Sequence, residues 1–228
     1  METAEAPVFV FIPGAWHRPE CFDRIRALLT DRGYDSEAVT ISVDAASPNI
    51  GLHADIDLTK DIIRRSVCQG RRVVVVCHSY SELVGASAVE GLGYAQRSKM
   101  SLSGGVVMII WMSAFVALKG QSIIDVGEGK SDPWVVDHGD GFCSTSEQET
   151  VFYNDLPSDE QQKWISKLAS HSVLSCLEPA LYEPWHIMPS IYIFCTKDNA
   201  FSLPFQEKLA KRLGNPGTFR CESSHSPF

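Results

Sequence analysis

No apolar run in this sequence approaches the roughly 20 residues a membrane-spanning helix needs. The longest, Val73–Val76 and Val106–Met112, are the size of strands. There is no basic run either. Lys and Arg total 20 against 28 Asp and Glu, a formal net charge of −8, so nothing attracts the chain to nucleic acid or to an anionic membrane. None of the seven cysteines (Cys21, Cys68, Cys77, Cys143, Cys176, Cys195, Cys221) forms a Cys-x-x-Cys pair. None is spaced with the seven histidines as a zinc site would be. An odd, scattered set in a chain of 228 residues reads as buried, reduced thiols rather than a disulfide framework. Repeats, linkers and low-complexity tracts are absent, and the acidic start at residues 1–6 leads straight into an apolar strand, unlike a signal or transit peptide. These absences predict a soluble, intracellular (cytoplasmic) protein with no metal, nucleic-acid or membrane partner.

What is present is the material of one globular domain: 44% hydrophobic and 10% aromatic residues, enough for a sizeable core. Short β-branched runs alternate with amphipathic stretches. Strands are expected at Val8–Ile12, Ala38–Val43, Arg71–Val76, Gly105–Trp111 and Ser190–Cys195. Helices are expected at Pro19–Arg32 (with Phe22, Ile25, Leu28 and Leu29 on one face), Asp55–Cys68, Leu83–Leu92 and Pro204–Leu213. Strand–helix alternation of this kind builds a mostly parallel sheet with helices on both faces. The stretch from about Phe115 to Trp185 breaks the rhythm. It reads as loop-rich and then helical, with Ser158-Asp-Glu-Gln161 as a capping box. So long an excursion between two strands predicts a helical lid, residues 116–185, inserted into a core of 1–115 and 186–228.

The chemistry concentrates where the expected strands end. Val73-Val-Val-Val-Cys-His-Ser-Tyr-Ser-Glu-Leu83 runs from a buried strand through a serine directly into a helix. That is the pattern of a nucleophile elbow, in which the serine hydroxyl stands above the sheet and the next N–H faces a developing oxyanion. Small residues are required two positions to either side, and here they are Cys77 and Ser81 in place of glycines; a helix-capping serine is the competing reading. Pro13-Gly-Ala-Trp16 follows the first strand, where a second oxyanion donor belongs. The N–H of Ala15, or of Trp16, would then join that of Tyr80. Asp198 falls just past the strand Ser190–Cys195, and His225 follows a further short strand. The order Ser79, Asp198, His225 is that of an α/β-hydrolase triad. His225 would take the Ser79 proton, and Asp198 would hold the imidazole and stabilise its charged form.

Taken together, the sequence resembles the α/β-hydrolase superfamily, and within it the small cofactor-free branch of plant methyl esterases, hydroxynitrile lyases and their fungal and bacterial relatives. The resemblance is carried by Val-Phe-Val-Phe-Ile-Pro-Gly-Ala-Trp-His from Val8, His-Ser-Tyr at the elbow, Val151-Phe-Tyr-Asn-Asp-Leu-Pro157, Tyr192-Ile-Phe-Cys-Thr-Lys-Asp198 and Ser224-His-Ser-Pro-Phe228. It implies an α/β-hydrolase fold and a serine-dependent ester or lactone hydrolase that needs no cofactor and acts on a small molecule. Two departures stand out. Ser81-Glu82 occupies positions where relatives carry two glycines; a Glu in the first helical turn suits the helix dipole, whereas a carboxylate close to the oxyanion site would oppose negative charge there, and which applies depends on where the side chain points. Relatives also continue into another helix, whereas this chain stops three residues after His225, which predicts either a mobile histidine loop or a shortened chain.

Trp16, Trp134, His138, Phe152 and Tyr153 are candidates for lining the substrate pocket, with core packing or, for His138, a solvated loop as the competing reading. His78 is expected to pack, and His17 and His186 to be structural. An aromatic lid favours a hydrophobic acyl or aromatic group over a sugar or peptide. The alternatives are lyase or ring-forming chemistry of natural-product metabolism at the same site, or a ligand-binding receptor on the hydrolase fold. Ser226 stands where hydroxynitrile lyases of this branch have a lysine, which argues against that activity.

Overall fold

The computed structural model describes residues 6–43 and 45–228, so most of the acidic start, residues 1–5, lies outside the described residues. Six strands form one parallel sheet in the order β2 (Ser36–Ala38), β1 (Val8–Ile12), β3 (Arg72–His78), β4 (Gly105–Met112), β8 (Ser190–Cys195) and β9 (Gly217–Cys221). The period of a strand divides its side chains between two faces. Val73, Val75 and Cys77 of β3 join the larger core, whereas Val74 and Val76 join a smaller one with Phe11, Cys21 and Phe22. Because both faces of β3 are covered, four valines in a row are stable there.

A 3₁₀ turn over Pro19–Phe22 and helix α1 (Asp23–Thr30) cover the smaller core, where the sequence predicts one continuous helix. Ile25 and Leu29 pack inward, but Leu28 is exposed. Helices α2 (Leu52–Cys68) and α3 (Ser81–Ala88) lie on the other face. Between them and the next strands come α4 (Tyr94–Lys99) and, near the end of the chain, α9 (Leu203–Ala210). The strand expected over Ala38–Val43 pairs with β1 only through Ala38, one position beyond which Val39 N–H still reaches the Phe11 carbonyl at 2.8 Å. Its far end leaves the sheet, and Val43 bridges to His171 instead.

Residues 116–185 are not simply loop and helix. Besides short helices α5 (Ile123–Val126), α6 (Gln148–Val151), α7 (Ser158–Ile165) and α8 (Leu174–Leu177), they hold an antiparallel sheet of β5 (Val135–Asp137), β6 (Phe142–Thr145) and β7 (His171–Ser172). Strands this short carry too few alternations to register as a period of two. The capping box expected at Ser158 does not form. Pro157 takes the cap position and Ser158 is the first helical residue, while a capping box closes at Ser122 and Asp125. All seven thiols are unpaired, but only Cys21, Cys77, Cys143 and Cys195 are buried; Cys68 is exposed. Among the described residues no helix is long and apolar enough to cross a membrane.

Candidate active site

In a parallel sheet the carboxyl ends of the strands share one edge, so residues following β1, β3, β4, β8 and β9 meet there. Ser79 opens the two-residue turn between β3 and α3, with its φ at 56° in the left-handed region. That conformation costs a non-glycine residue about 1 kcal/mol and persists only where neighbours enforce it. Ser81 supplies the enforcement that the sequence leaves open. Its Oγ accepts the His78 N–H at 2.8 Å and lies 2.7 Å from the Ile12 carbonyl and 2.9 Å from that of His78. One hydroxyl thus ties the start of α3 to the ends of β1 and β3, a bond no glycine could make. Gly85 then lets α3 close onto the sheet, since a Cβ there would collide with the Cys77 sulfur.

Asp198 and His225 are brought together directly. His225 Nδ1–H donates to Asp198 Oδ2 at 2.8 Å, and both residues are buried. Asp198 is held by three more donors: the Ser113 hydroxyl and, at 3.5 Å, Gln206 Nε2 on Oδ2, and the Phe201 N–H on Oδ1 at 2.8 Å. Ser113, at the end of β4, is a partner the sequence reading missed; a serine just past a buried strand is the only signal it gives. The loop carrying His225 is tied to the rest of the chain by several contacts. Asp155 accepts the Ser224 N–H at 2.9 Å and the Ser223 hydroxyl at 3.0 Å, and Phe228 packs on Phe22 and His78 with ring centroids 4.6 and 4.9 Å away. Asn154, next to Asp155, donates to the Lys197 carbonyl at 3.0 Å, so one segment of the excursion holds the loops of both Asp198 and His225.

Among the described residues neither the Ala15 N–H nor the Tyr80 N–H is given to a protein acceptor. The turn after β1 touches the elbow closely. A Cβ on Gly14 would lie 3.0 Å from the Ser79 Cβ and 2.7 Å from His78 Nδ1, so only glycine permits the approach. The Tyr80 side chain runs the other way, into a buried network in which its hydroxyl donates to Asp55 Oδ2 at 2.7 Å; Ser42 adds its N–H at 2.6 Å and its Oγ at 2.9 Å. Burial pushes the Asp55 carboxyl up to about 6.

The carboxyl of Glu82, whose direction the sequence leaves open, runs toward Ala117. It is fully buried, and Oε2 accepts the Ala117 N–H at 3.1 Å. Burial raises its pKa to about 8, so it is mostly protonated at neutral pH and carries little opposing charge.

Among the proposed lining residues, Trp16, Trp134 and Phe152 form one aromatic cluster. Phe152 lies 6.1 Å from Trp16, 5.3 Å from Trp134 and 5.6 Å from the His225 ring. Tyr153 is buried with its hydroxyl on His17 Nε2 at 3.0 Å, and so holds the interior together rather than presenting a free polar group. His138 sits exposed in the turn between β5 and β6, outside that cluster, in the solvated loop position that competed with a pocket-lining one. His186 is a surface residue beside Glu183. His78 does more than pack, because its Nε2–H donates to the His225 carbonyl at 2.8 Å. His171, absent from the sequence reading, lies buried against Tyr80 and Trp16, and among the described residues neither ring nitrogen has a hydrogen-bond partner.

Comparison with known proteins points the same way as this geometry. Residues 9–228 match the alpha/beta hydrolase family. Alpha/beta hydrolase nvfD of Aspergillus novofumigatus is 28% identical over 97% of this chain and 90% of its own length. An extracellular alpha/beta-hydrolase from a Paenibacillus species superposes with a TM-score of 0.76 at 18% identity, covering 96% of this chain and 91% of the other. Methylesterase MES16 from Arabidopsis gives 0.73 at 20% identity, over 97% and 92%. At such identities the solved structures speak for the fold alone.

Proposed function

Because the chain belongs to the alpha/beta hydrolase family, we propose that it is a serine hydrolase of carboxylic esters or lactones, with Ser79 as nucleophile, His225 as general base and Asp198 as the group orienting it. The observation that carries this reading is the buried His225–Asp198 hydrogen bond at the strand edge where Ser79 is held in a left-handed turn. With Nδ1–H committed to Asp198, Nε2 is the ring nitrogen left to take the Ser79 proton as its oxygen attacks an acyl carbon. The N–H groups of Ala15 and Tyr80 would receive the oxyanion. His225 would then return the proton to the departing alkoxide, and water would release the acyl group by the same steps in reverse order.

The Trp16, Trp134 and Phe152 cluster beside His225 supports a hydrophobic acyl or aromatic group. A series of esters of increasing acyl length tests that part, and a preference for acetate over every larger acyl group would overturn it. The catalytic reading is tested by intact-mass analysis after a fluorophosphonate probe, on wild type and on Ser79→Ala. One adduct on wild type and none on the variant is expected. Labelling of Ser79→Ala, or an unlabelled wild type, overturns the assignment. Repeated turnover of an ester separates an enzyme from a receptor that is acylated once.

A further inference from the structure

The turn that carries Ala15 is strained and is held from outside. Trp16 has a φ of 64°, costly for a bulky residue. Its carbonyl accepts the Ala169 N–H at 2.9 Å, and its indole N–H reaches the Cys143 carbonyl at 3.3 Å. Both of those partners belong to the excursion. Next to it, His17 is buried and its Nδ1 lies 2.9 Å from the Ala15 carbonyl. A carbonyl only accepts, so Nδ1 carries the proton, and in a neutral ring Nε2 is then an acceptor. Two hydroxyls converge on that nitrogen: Tyr153 of the excursion at 3.0 Å, and Ser226, the residue after His225, at 3.3 Å. Burial pushes the His17 pKa down to about 4, consistent with a neutral ring at working pH.

We propose that His17 is a positioning residue for the oxyanion site: Nδ1–H holds the Ala15 carbonyl and so the backbone torsion of the residue whose own N–H, in the preceding peptide, is the donor, while Nε2 is held by hydroxyls from the excursion and from the histidine loop, so that the oxyanion donor is set only when both are docked. This rests on the reading of Ala15 N–H as an oxyanion donor. Ser79 and His225 are 8% and 2% exposed, and Tyr153 is among the residues enclosing this region. Moving Tyr153 frees the His17 ring and with it the Ala15 carbonyl. Closing over a substrate restores both, which links enclosure to the geometry that stabilises the transition state.

The test uses 4-nitrophenyl butyrate as substrate and an alkyl trifluoromethyl ketone, which adds to an activated serine as a tetrahedral mimic. Tyr153→Phe keeps the ring and removes one hydroxyl; it is expected to lower kcat about threefold to tenfold, leave KM within about twofold, and weaken the ketone by the same factor. His17→Asn retains a donor where Nδ1 lies, whereas His17→Gln reaches toward Nε2 and loses that donor. The glutamine variant is expected to lose about 100-fold in kcat and the asparagine variant about tenfold. Equal losses in the two His17 variants, an unchanged kcat in Tyr153→Phe, or a fall in kcat with ketone binding unmoved would each overturn the proposal. Turnover by Ser79→Ala would instead remove the reading on which it rests.

Discussion

The imidazole of His78 donates its Nε2–H to the backbone carbonyl of His225 at 2.8 Å, so the residue before the serine holds the loop of the histidine. Losing a net hydrogen bond costs about 1 kcal/mol, and here the loss falls on the placement of His225, the proposed base. His78→Leu is expected to lower kcat about tenfold with KM little changed. His78→Gln, which can still donate to that carbonyl, is expected to retain most of the activity. Steady-state kinetics of both variants check this, and equal losses would mean that His78 acts by packing alone.

Asp155 anchors the same loop from the excursion, through Ser224 and Ser223. Burial works to raise its pKa, but the bonds from Ser224 and Ser223 outweigh it and leave the carboxyl below its ordinary value. Its contribution is therefore complete above the ordinary carboxylate range and fades as pH falls through the lowered pKa. Asp155→Ala is expected to speed amide hydrogen exchange at Ser224 and its neighbours and to reduce kcat, with β1 and β3 still protected. Unchanged exchange in the loop would remove Asp155 from this role.

Glu82 is expected to shape the pH dependence of stability. Unfolded, it ionises near 4.5; folded, burial holds its proton up to about 8. Between those values the folded state binds one proton more than the unfolded chain, so this group makes stability fall as pH rises through the window and adds no slope above it. Glu82→Gln keeps the shape and an acceptor for Ala117 N–H. Urea unfolding at pH 5, 7 and 9 should show the variant gaining on wild type as pH rises, with little difference at pH 5. Parallel curves would show that Glu82 ionises normally.

His171 carries two buried ring nitrogens without hydrogen-bond partners among the described residues. Leaving such a group unsatisfied costs about 1–3 kcal/mol. His171→Leu, of similar volume, is expected to raise Tm by roughly 2–4 °C per kcal/mol recovered. Calorimetry of the variant decides it, and a lowered Tm would mean that the imidazole is satisfied in solution.

The sequence by itself determined most of the sheet and the edge on which the candidate site residues fall. Val8–Ile12 and Ser190–Cys195 are strands with the bounds read from composition, and β3 and β4 differ from expectation only at their ends. Runs of β-branched residues closed by Gly or Pro leave a buried strand little alternative, and in a parallel sheet the residue after each strand is then placed without knowing any contact. Only the tertiary structure decided the rest. The direction of Glu82 stays open in the sequence because nothing in Ser81-Glu82 says that the side chain runs into the core toward Ala117 and keeps its proton. His17 reads simply as structural and His78 as packing because their partners, Tyr153, Ser226 and the His225 carbonyl, lie far along the chain. The short strands of the excursion exist only through pairing with one another and, at His171, with Val43. Period and composition are local properties that a sequence displays, whereas the direction of a side chain and the satisfaction of a buried polar atom depend on what the fold brings beside it.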